Sequence, residues 1–295
     1  MPLNATVLRL PDAERFERYR LVYSAEASER VPGIMMRKPG SPAKQPVAIA
    51  LHGTGDRKEG MASILRELAA RGFLAVAIDG RYHGERPGDY SEAIYEAWNT
   101  GKGHPFLYDS VWDVMRLIDY LETRPDVDAS RIGIIGYSKG GMEAYLAAGA
   151  DPRIQAVVTC LGVQSFGWAL EHDRWQSRVE TIAPAVEQAA ADRGVPVDAA
   201  FVRSFYDRVA PGIYGEFDAP AVLPRIAPRP LFVINGGTDE RTPGLALAID
   251  AAKAAYGTSG NFRYVIQPNT GHTVRPEVFR LAYDWLQNML SGRAR

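Results

Sequence analysis

One cysteine, Cys160, is all the thiol this 295-residue chain carries. An intrachain disulfide is therefore excluded, and so is a cysteine-rich metal site. Cys160 lies in the apolar run Ala156-Val157-Val158-Thr159-Cys160-Leu161, which suits a buried structural thiol and not a reactive one. An excess of charge of one sign is missing too, since 34 Lys and Arg face 35 Asp and Glu. That balance provides no long-range field for a polyanion, and the arginines are scattered, so neither nucleic acid nor a membrane is expected as a partner. No window approaches the roughly 20 apolar residues of a membrane-spanning helix. The first ten residues lack the basic start and apolar stretch of a signal peptide, which makes a cytoplasmic location the expectation. Compact metal-ligand spacings such as H-E-x-x-H are also missing, so no metal and no organic cofactor is expected.

What is present is ordinary globular material: 46% hydrophobic and 23% charged residues, far from the signature of disorder. After a polar start that reads as helical, Tyr19 to Lys38 reads as two extended segments around Ala25 to Arg30, an edge hairpin. Pro39 to Pro46 is a linker. From there short apolar runs alternate with amphipathic stretches, the sequence form of β-α-β units on a mostly parallel sheet. The strand candidates are Val47 to His52, Leu74 to Asp79, Ile132 to Gly136, Ala156 to Leu161, Leu231 to Asn235 and Tyr264 to Gln267. Helical patterns cover Met61 to Arg71, Ser110 to Glu122, Gly140 to Ala148, Leu245 to Tyr256 and Pro276 to Leu290. Two segments break the rhythm: Tyr82 to Tyr108, rich in Gly, Pro and aromatics, and Gln164 to Pro228. The second predicts a small helical cap, residues 164–228, within a single domain of residues 1–295.

The chemistry is carried by Gly136-Tyr137-Ser138-Lys139-Gly140, a G-x-S-x-G match. A β-branched strand precedes it, a helical pattern follows, and glycines occupy the two crowded positions, so a sharp elbow would present Ser138 at the carboxyl end of the sheet. It would also stand at a helix N-terminus, where free amides favour developing negative charge. A serine hydroxyl needs a base, and of five histidines His272 follows the last strand and precedes the last helix, at the same end of the sheet. The base needs an acid. Asp239 follows the strand Leu231 to Asn235 and completes the chain order Ser, Asp, His, with the adjacent Glu240 as the alternative if the loop register differs. The Gly-rich turn His52-Gly53-Thr54-Gly55 after the first parallel strand can aim the Thr54 amide at a substrate oxyanion, with the Lys139 amide as second donor. His52 is expected to brace that turn. Between the sheet and the two insertions, Trp98, Tyr108, Gln164, Trp168, Trp175 and Tyr206 are the expected substrate-binding residues.

Taken together, these motifs resemble the α/β-hydrolase superfamily, and more narrowly its dienelactone hydrolase, acetyl xylan esterase and prolyl-oligopeptidase-like branches, from about Val47 to the C-terminus. Asp79-Gly80-Arg81-Tyr82-His83-Gly84-Glu85 is similar to the superfamily's D-x-R-G-H-G-x-S loop, with Tyr82 and Glu85 as departures. There the loop is structural, which implies that Asp79, Arg81 and His83 organise the pocket floor. Dienelactone hydrolases usually carry a cysteine nucleophile, so Ser138 favours esterase or peptidase chemistry. The oligopeptidase branch usually adds an N-terminal propeller, for which the residues before Val47 are too few. The expected activity is hydrolysis of small or short-acyl carboxylic esters through an acyl-enzyme. A serine aminopeptidase or amidase is the alternative within enzymes, thioester cleavage a third, and a non-catalytic small-molecule receptor the alternative of another class. For oligomeric state, the base rate of soluble enzymes supplies a homodimer.

Overall fold

The short apolar runs become strands because both faces of the sheet they form are covered. In β4 (Gln45–Leu51), Val47, Ile49 and Leu51 join one core while Ala48 and Ala50 join the other. The same alternation sends Leu231 and Val233 one way from β8 (Leu231–Gly236), and Phe232 and Ile234 the other. The computed structural model describes residues 1–13 and 15–291. Among them the remaining strands are β1 (Thr6–Ala13), β2 (Phe16–Ser24), β3 (Arg30–Arg37), β5 (Leu74–Ile78), β6 (Val127–Tyr137), β7 (Ile154–Cys160) and β9 (Phe262–Gln267). They form one sheet in the order β1-β2-β3-β5-β4-β6-β7-β8-β9. Pairing is antiparallel from β1 to β5 and parallel from β5 to β9.

The helices are α1 (Ala62–Ala70), α2 (Tyr90–Thr100), α3 (Tyr108–Glu122), α4 (Lys139–Ala150), α5 (Phe166–Glu171), α6 (Gln176–Val179), α7 (Ala183–Ala191), α8 (Ala199–Val209), α9 (Ala219–Ile226), α10 (Leu245–Tyr256) and α11 (Pro276–Leu290). Helices α1 and α11 cover one face, and α3, α4 and α10 the other, while α2 packs on α7 and α8. This is the α/β-hydrolase fold: a mostly parallel sheet flanked by helices. From β4 the chain crosses first to β5 on one side and then to β6 on the other, so the loops after β4 and β6 diverge at the carboxyl ends of neighbouring strands. Open α/β sheets hold their ligands in such a crevice.

One sequence expectation changes and another gains detail. The polar N-terminal start is not helical: β1 pairs with β2 through Thr6↔Val22 to Leu10↔Arg18. It is an edge strand with Leu8 exposed, so the burial that would have sharpened its alternation is missing. The Gly- and Pro-rich segment 82–108 contains α2, capped by Asp89, whose side chain accepts from the Glu92 amide, and ended by the left-handed Gly101. Asp89 and Glu92 have the spacing of a capping box, and Ile94, Ala97 and Trp98 that of a buried helix face.

Three buried carboxylates tie the loops down. The Asp218 carboxylate accepts from Ser165 Oγ (2.6 Å) and from the amides of Phe166, Gly167 and Ala219, joining the two ends of the helical segment between β7 and β8. Asp113, on α3, receives Arg81 through Nε (3.0 Å) and Nη2 (2.9 Å), and it also receives Arg86. Asp79 accepts from the Lys58 amide and ammonium and from the Glu85 amide. Asp79 and Arg81 thus brace the loop after β5; neither they nor His83 line the cleft, as the floor role implied by the resemblance would have it. Removing one partner of a buried ion pair strands the other charge, so Asp113→Ala is expected to cost about 3 to 5 kcal/mol. The drop in the urea unfolding midpoint, followed by circular dichroism, measures it.

Candidate active site

Strand β6 runs straight into helix α4, and the turn between them is one residue long. Ser138 is that residue, the N-cap of α4, at φ 54° and ψ −117°. A side chain here is held outside the usual wells, at a cost of roughly 1 to 3 kcal/mol. Crowding explains the flanking glycines: a Cβ on Gly136 would lie 1.9 Å from the Gly140 carbonyl oxygen, and one on Gly140 would lie 2.4 Å from that of Leu51. The Ser138 amide donates to Cys160 O (2.8 Å), and the Ser138 carbonyl accepts from the amides of Gly141 and Met142. The hydroxyl is left facing the crevice.

His272, in the loop between β9 and α11, meets it there. Its Nε2 lies 2.8 Å from Ser138 Oγ, and its Nδ1 lies 2.7 Å from Asp239 Oδ2. A carboxylate only accepts, so the ring proton belongs on Nδ1 and the Nε2 lone pair faces the serine hydroxyl. Both loops are held independently of that contact. Tyr137 Oη donates to His272 O (3.1 Å), Gln267 Nε2 donates to Thr273 O, and the Thr238 amide donates to Thr270 O. Asp239 has only 1% of its side chain exposed, whereas Glu240 is exposed and points away, so Asp239 is the partner.

The turn after β4 closes the other side. His52 Nδ1 donates to Gly53 O (2.8 Å) while its Nε2 accepts from the Gly80 amide (3.0 Å). Because the Gly53–Thr54 peptide is planar and trans, fixing its carbonyl also fixes the Thr54 N–H, which points the opposite way. Thr54, Ser138, Lys139 and His272 line one narrow cleft of about 40 Å³, open to solvent. The Lys139 side chain is turned to other work, with Nζ 2.6 Å from Glu143 Oε1.

Of the expected substrate-binding residues, the structure brings only Gln164 to this cleft. Trp98 is buried against Phe201 and Phe205, and Tyr108 Oη donates to Pro211 O (2.9 Å). Tyr206 is fully buried, its hydroxyl donating to Arg178 O (2.6 Å). Trp168 stacks on His172, and Trp175 Nε1 donates to Asp173 (2.9 Å). These five aromatics build or edge the helical segment and do not line the cleft. The lining is instead Phe106, Met142, Leu161 and Phe166, with Ser177, Arg178, Thr181 and Arg241 at the polar side. No motif marked those positions: Phe106 and Arg241 lie in loops, Leu161 just past β7, Met142 in the first turn of α4, and Phe166, Ser177, Arg178 and Thr181 on short helices or turns with too few residues for a periodic signal. Among the described residues no cluster of three His, Cys, Asp or Glu side chains could hold a metal ion, and no helix is long and apolar enough to cross a membrane.

The dienelactone hydrolase family profile matches residues 32–205. The chain belongs to the dienelactone hydrolase family. This family member is 25% identical to the Bacillus subtilis (strain 168) protein YtaP, named as a hydrolase, over 97% of the chain and 93% of the relative. In structure it resembles an acetyl xylan esterase from Paenibacillus sp. R4, with a TM-score of 0.76 at 20% identity, covering 98% of this chain and 89% of that one. Acetyl xylan esterase 1 from Thermoanaerobacterium sp. JW/SL YS485 gives a TM-score of 0.68 at 17% identity, with the same coverages of 98% and 89%. Both share the fold.

The two histidines behind the cleft give a pH prediction. Burial, reinforced by the Lys139 ammonium, lowers His52 to about 3 and His83 to about 4. An unfolded imidazole titrates near 6.5, so below that value the unfolded chain takes up protons that the folded chain refuses. The stability held by the neutral rings is complete above about pH 6.5 and is lost as the pH falls towards the folded values. His52 alone is expected to cost about 2 kcal/mol of stability by about pH 5. Urea midpoints across that range should fall less steeply in His52→Gln than in the parent chain, and equal slopes would contradict this.

Proposed function

We propose that this family member is a serine hydrolase of carboxylic esters, working through an acyl-enzyme on Ser138. The observation that carries the reading is the continuous chain from Asp239 through His272 to Ser138, with contacts of 2.7 and 2.8 Å, at a strained strand-to-helix elbow. His272 Nε2 takes the hydroxyl proton as Oγ bonds to the ester carbon. Asp239 holds the tautomer and stabilises the imidazolium. The carbonyl oxygen, now an anion, is held by the amides of Thr54 and Lys139. The Lys139 amide opens α4 and has no acceptor within the helix, and the helix dipole adds to the attraction. Collapse of the intermediate expels the alcohol, which takes its proton from His272. Water then repeats the sequence, releases the acid and restores Ser138. Every proton and charge has a group of this chain to hold it.

Ester bonds are the better match because an alkoxide leaves more readily than an amide nitrogen, and the names of the acetyl xylan esterase neighbours favour the same chemistry. A narrow cleft, with only about 40 Å³ of room, favours a small or short-acyl ester. In this reading residues 164–228 are a cap within one hydrolase domain, since Gln164, Ser177, Arg178 and Thr181 all come to the cleft from that segment.

Steady-state hydrolysis of p-nitrophenyl acetate, butyrate and octanoate tests it. Ser138→Ala and His272→Ala are each expected to lower kcat/KM by a factor on the order of 10⁴ or more, and Asp239→Asn by roughly 10² to 10⁴, with the fold intact by circular dichroism. Acetate and butyrate should turn over faster than octanoate. Equal rates in the parent and Ser138→Ala would remove Ser138 as the nucleophile.

A further inference from the structure

Two spaces meet at the mouth of the site. The inner one is the narrow cleft of Ser138 and His272, and next to it lies an open groove of about 410 Å³. Ser177 and Arg241 line both, so these two side chains form the wall between them. Beyond that wall the groove is lined by Arg174, Gln176, Glu180 and Glu240, with no apolar side chain among them. The inner cleft differs in character, with Phe106, Met142, Leu161 and Phe166 beside Ser138.

Arg241 is held in two ways. Its backbone is fixed: the amide donates to Asp239 Oδ1 (3.1 Å), and the carbonyl accepts from the buried Arg178. Its side chain is paired with Glu180, in the turn Glu180–Ile182 after α6, through Nη2 to Oε1 (2.6 Å) and Nε to Oε2 (2.9 Å). The two side chains are 46% and 47% exposed, and an ion pair so exposed is weak. As a staple between the helical segment and the Asp239 loop it adds little to the buried contacts of Asp218 and Arg178. As a wall it matters, because a swing of the Arg241 side chain joins groove to cleft while the backbone beside the triad stays in place.

The chemistry says which part of a substrate meets that wall. His272 gives its proton to the leaving oxygen, so the leaving group extends on the His272 side, and Arg241 stands two residues beyond Asp239 on the loop that holds His272. The acyl part is left to the apolar inner cleft. The groove presents two bases, Arg174 and Arg241, and two acids, Glu180 and Glu240, so it offers both donors and acceptors and no net charge to favour an ion.

We propose that the groove is the leaving-group subsite, suited to polar uncharged alcohols, and that the Glu180–Arg241 pair is the specificity element such alcohols displace. The proposal deepens the ester-hydrolase reading and rests on it for the turnover assay alone.

Acetate esters test it by pH-stat. Hydroxyethoxyethyl acetate and hexyl acetate have alcohols of equal length, one polar and one apolar, and methyl acetate is too short to reach the groove. The polar ester is expected to have a higher kcat/KM than hexyl acetate. Glu180→Gln should raise the hydroxyethoxyethyl-to-methyl ratio by about 2- to 5-fold, the worth of a half-exposed ion pair. Added salt should raise that ratio in the parent chain and leave it unmoved in Glu180→Gln, because only the parent has a pair to screen. Glu180→Arg alone should also raise it, and Glu180→Arg combined with Arg241→Glu should return it to the parent value. The ratio is internal to each variant, so a general loss of folded enzyme does not move it. Hexyl acetate turned over as well as its polar counterpart, a ratio unchanged in Glu180→Gln, or a doubly exchanged chain that keeps the raised ratio would overturn the proposal and leave ester hydrolysis standing. NMR of Ser138→Ala separates the two readings: hydroxyethoxyethyl acetate should shift the amide resonances of Gln176 and Glu180, and methyl acetate should not. Those shifts, with no ester turned over by the parent chain, would support the subsite and overturn ester hydrolysis. Neither shifts nor turnover would overturn both.

Discussion

At Ser138 the backbone takes a conformation that few side chains adopt, φ 54° and ψ −117°, and it can do so only because its neighbours have no side chains there. The geometry of the cleft follows from this one turn. Strand β6 delivers the chain to the middle of the sheet, and Gly136 and Gly140 let it fold back against the carbonyls of Leu51 and His52. The Ser138 amide is anchored on Cys160 of the neighbouring strand. The strain is affordable because the sheet is buried on both faces and overdetermines the elbow. The reward is positional: a hydroxyl standing clear of its own backbone, at the opening of α4, with nothing between it and the crevice.

The loops that meet this hydroxyl are braced before they touch it. The ring of His272 spans from Asp239 to Ser138, but its backbone is held by Tyr137, and its loop by Gln267 and by the strand-end contacts of Thr238. On the other side His52 bridges the turns after β4 and β5; burial keeps its ring neutral, and its hydrogen bonds to Gly53 and Gly80 keep one tautomer in place. Preorganisation of this kind means that donors and base need not be gathered when charge develops. The segment between β7 and β8 joins the site from above through the Asp218 staple at its ends and through Arg178 and Glu180, which reach Arg241 on the loop of Asp239.

Much of this was legible in residues. The parallel strands announce themselves as short apolar runs because two covered faces leave no polar positions. Ser138 and Asp239 were legible because each follows such a run, and His272 because it follows the edge strand β9 and precedes the last helix; strand ends in this topology converge. The braces were legible in part: His52 and the Asp79 loop carry recognisable spacing, whereas Tyr137 and Gln267 do not. The cleft wall was not legible. Aromatic content in residues 164–228 suggested a lining, yet Trp98, Phe201, Phe205 and Tyr206 pack on one another because large apolar rings gain most by leaving water entirely. Which residues of a short irregular helix turn inward depends on tertiary packing, and Arg178 could be placed only by its surroundings. The edge strand β1 was missed for the opposite reason, since exposure on an edge removes the pattern that identifies a strand.

The most direct measurement is covalent. A fluorophosphonate bonds to a serine whose hydroxyl proton a neighbouring base can accept, so peptide mass spectrometry of the labelled protein reads both the nucleophile and its activation. One adduct, on the peptide that contains Ser138, lost in His272→Ala while the fold persists, is the expected result. An adduct on another residue, or labelling of Ser138 that is undiminished in His272→Ala, would contradict an activated Ser138 as the centre of this protein's chemistry.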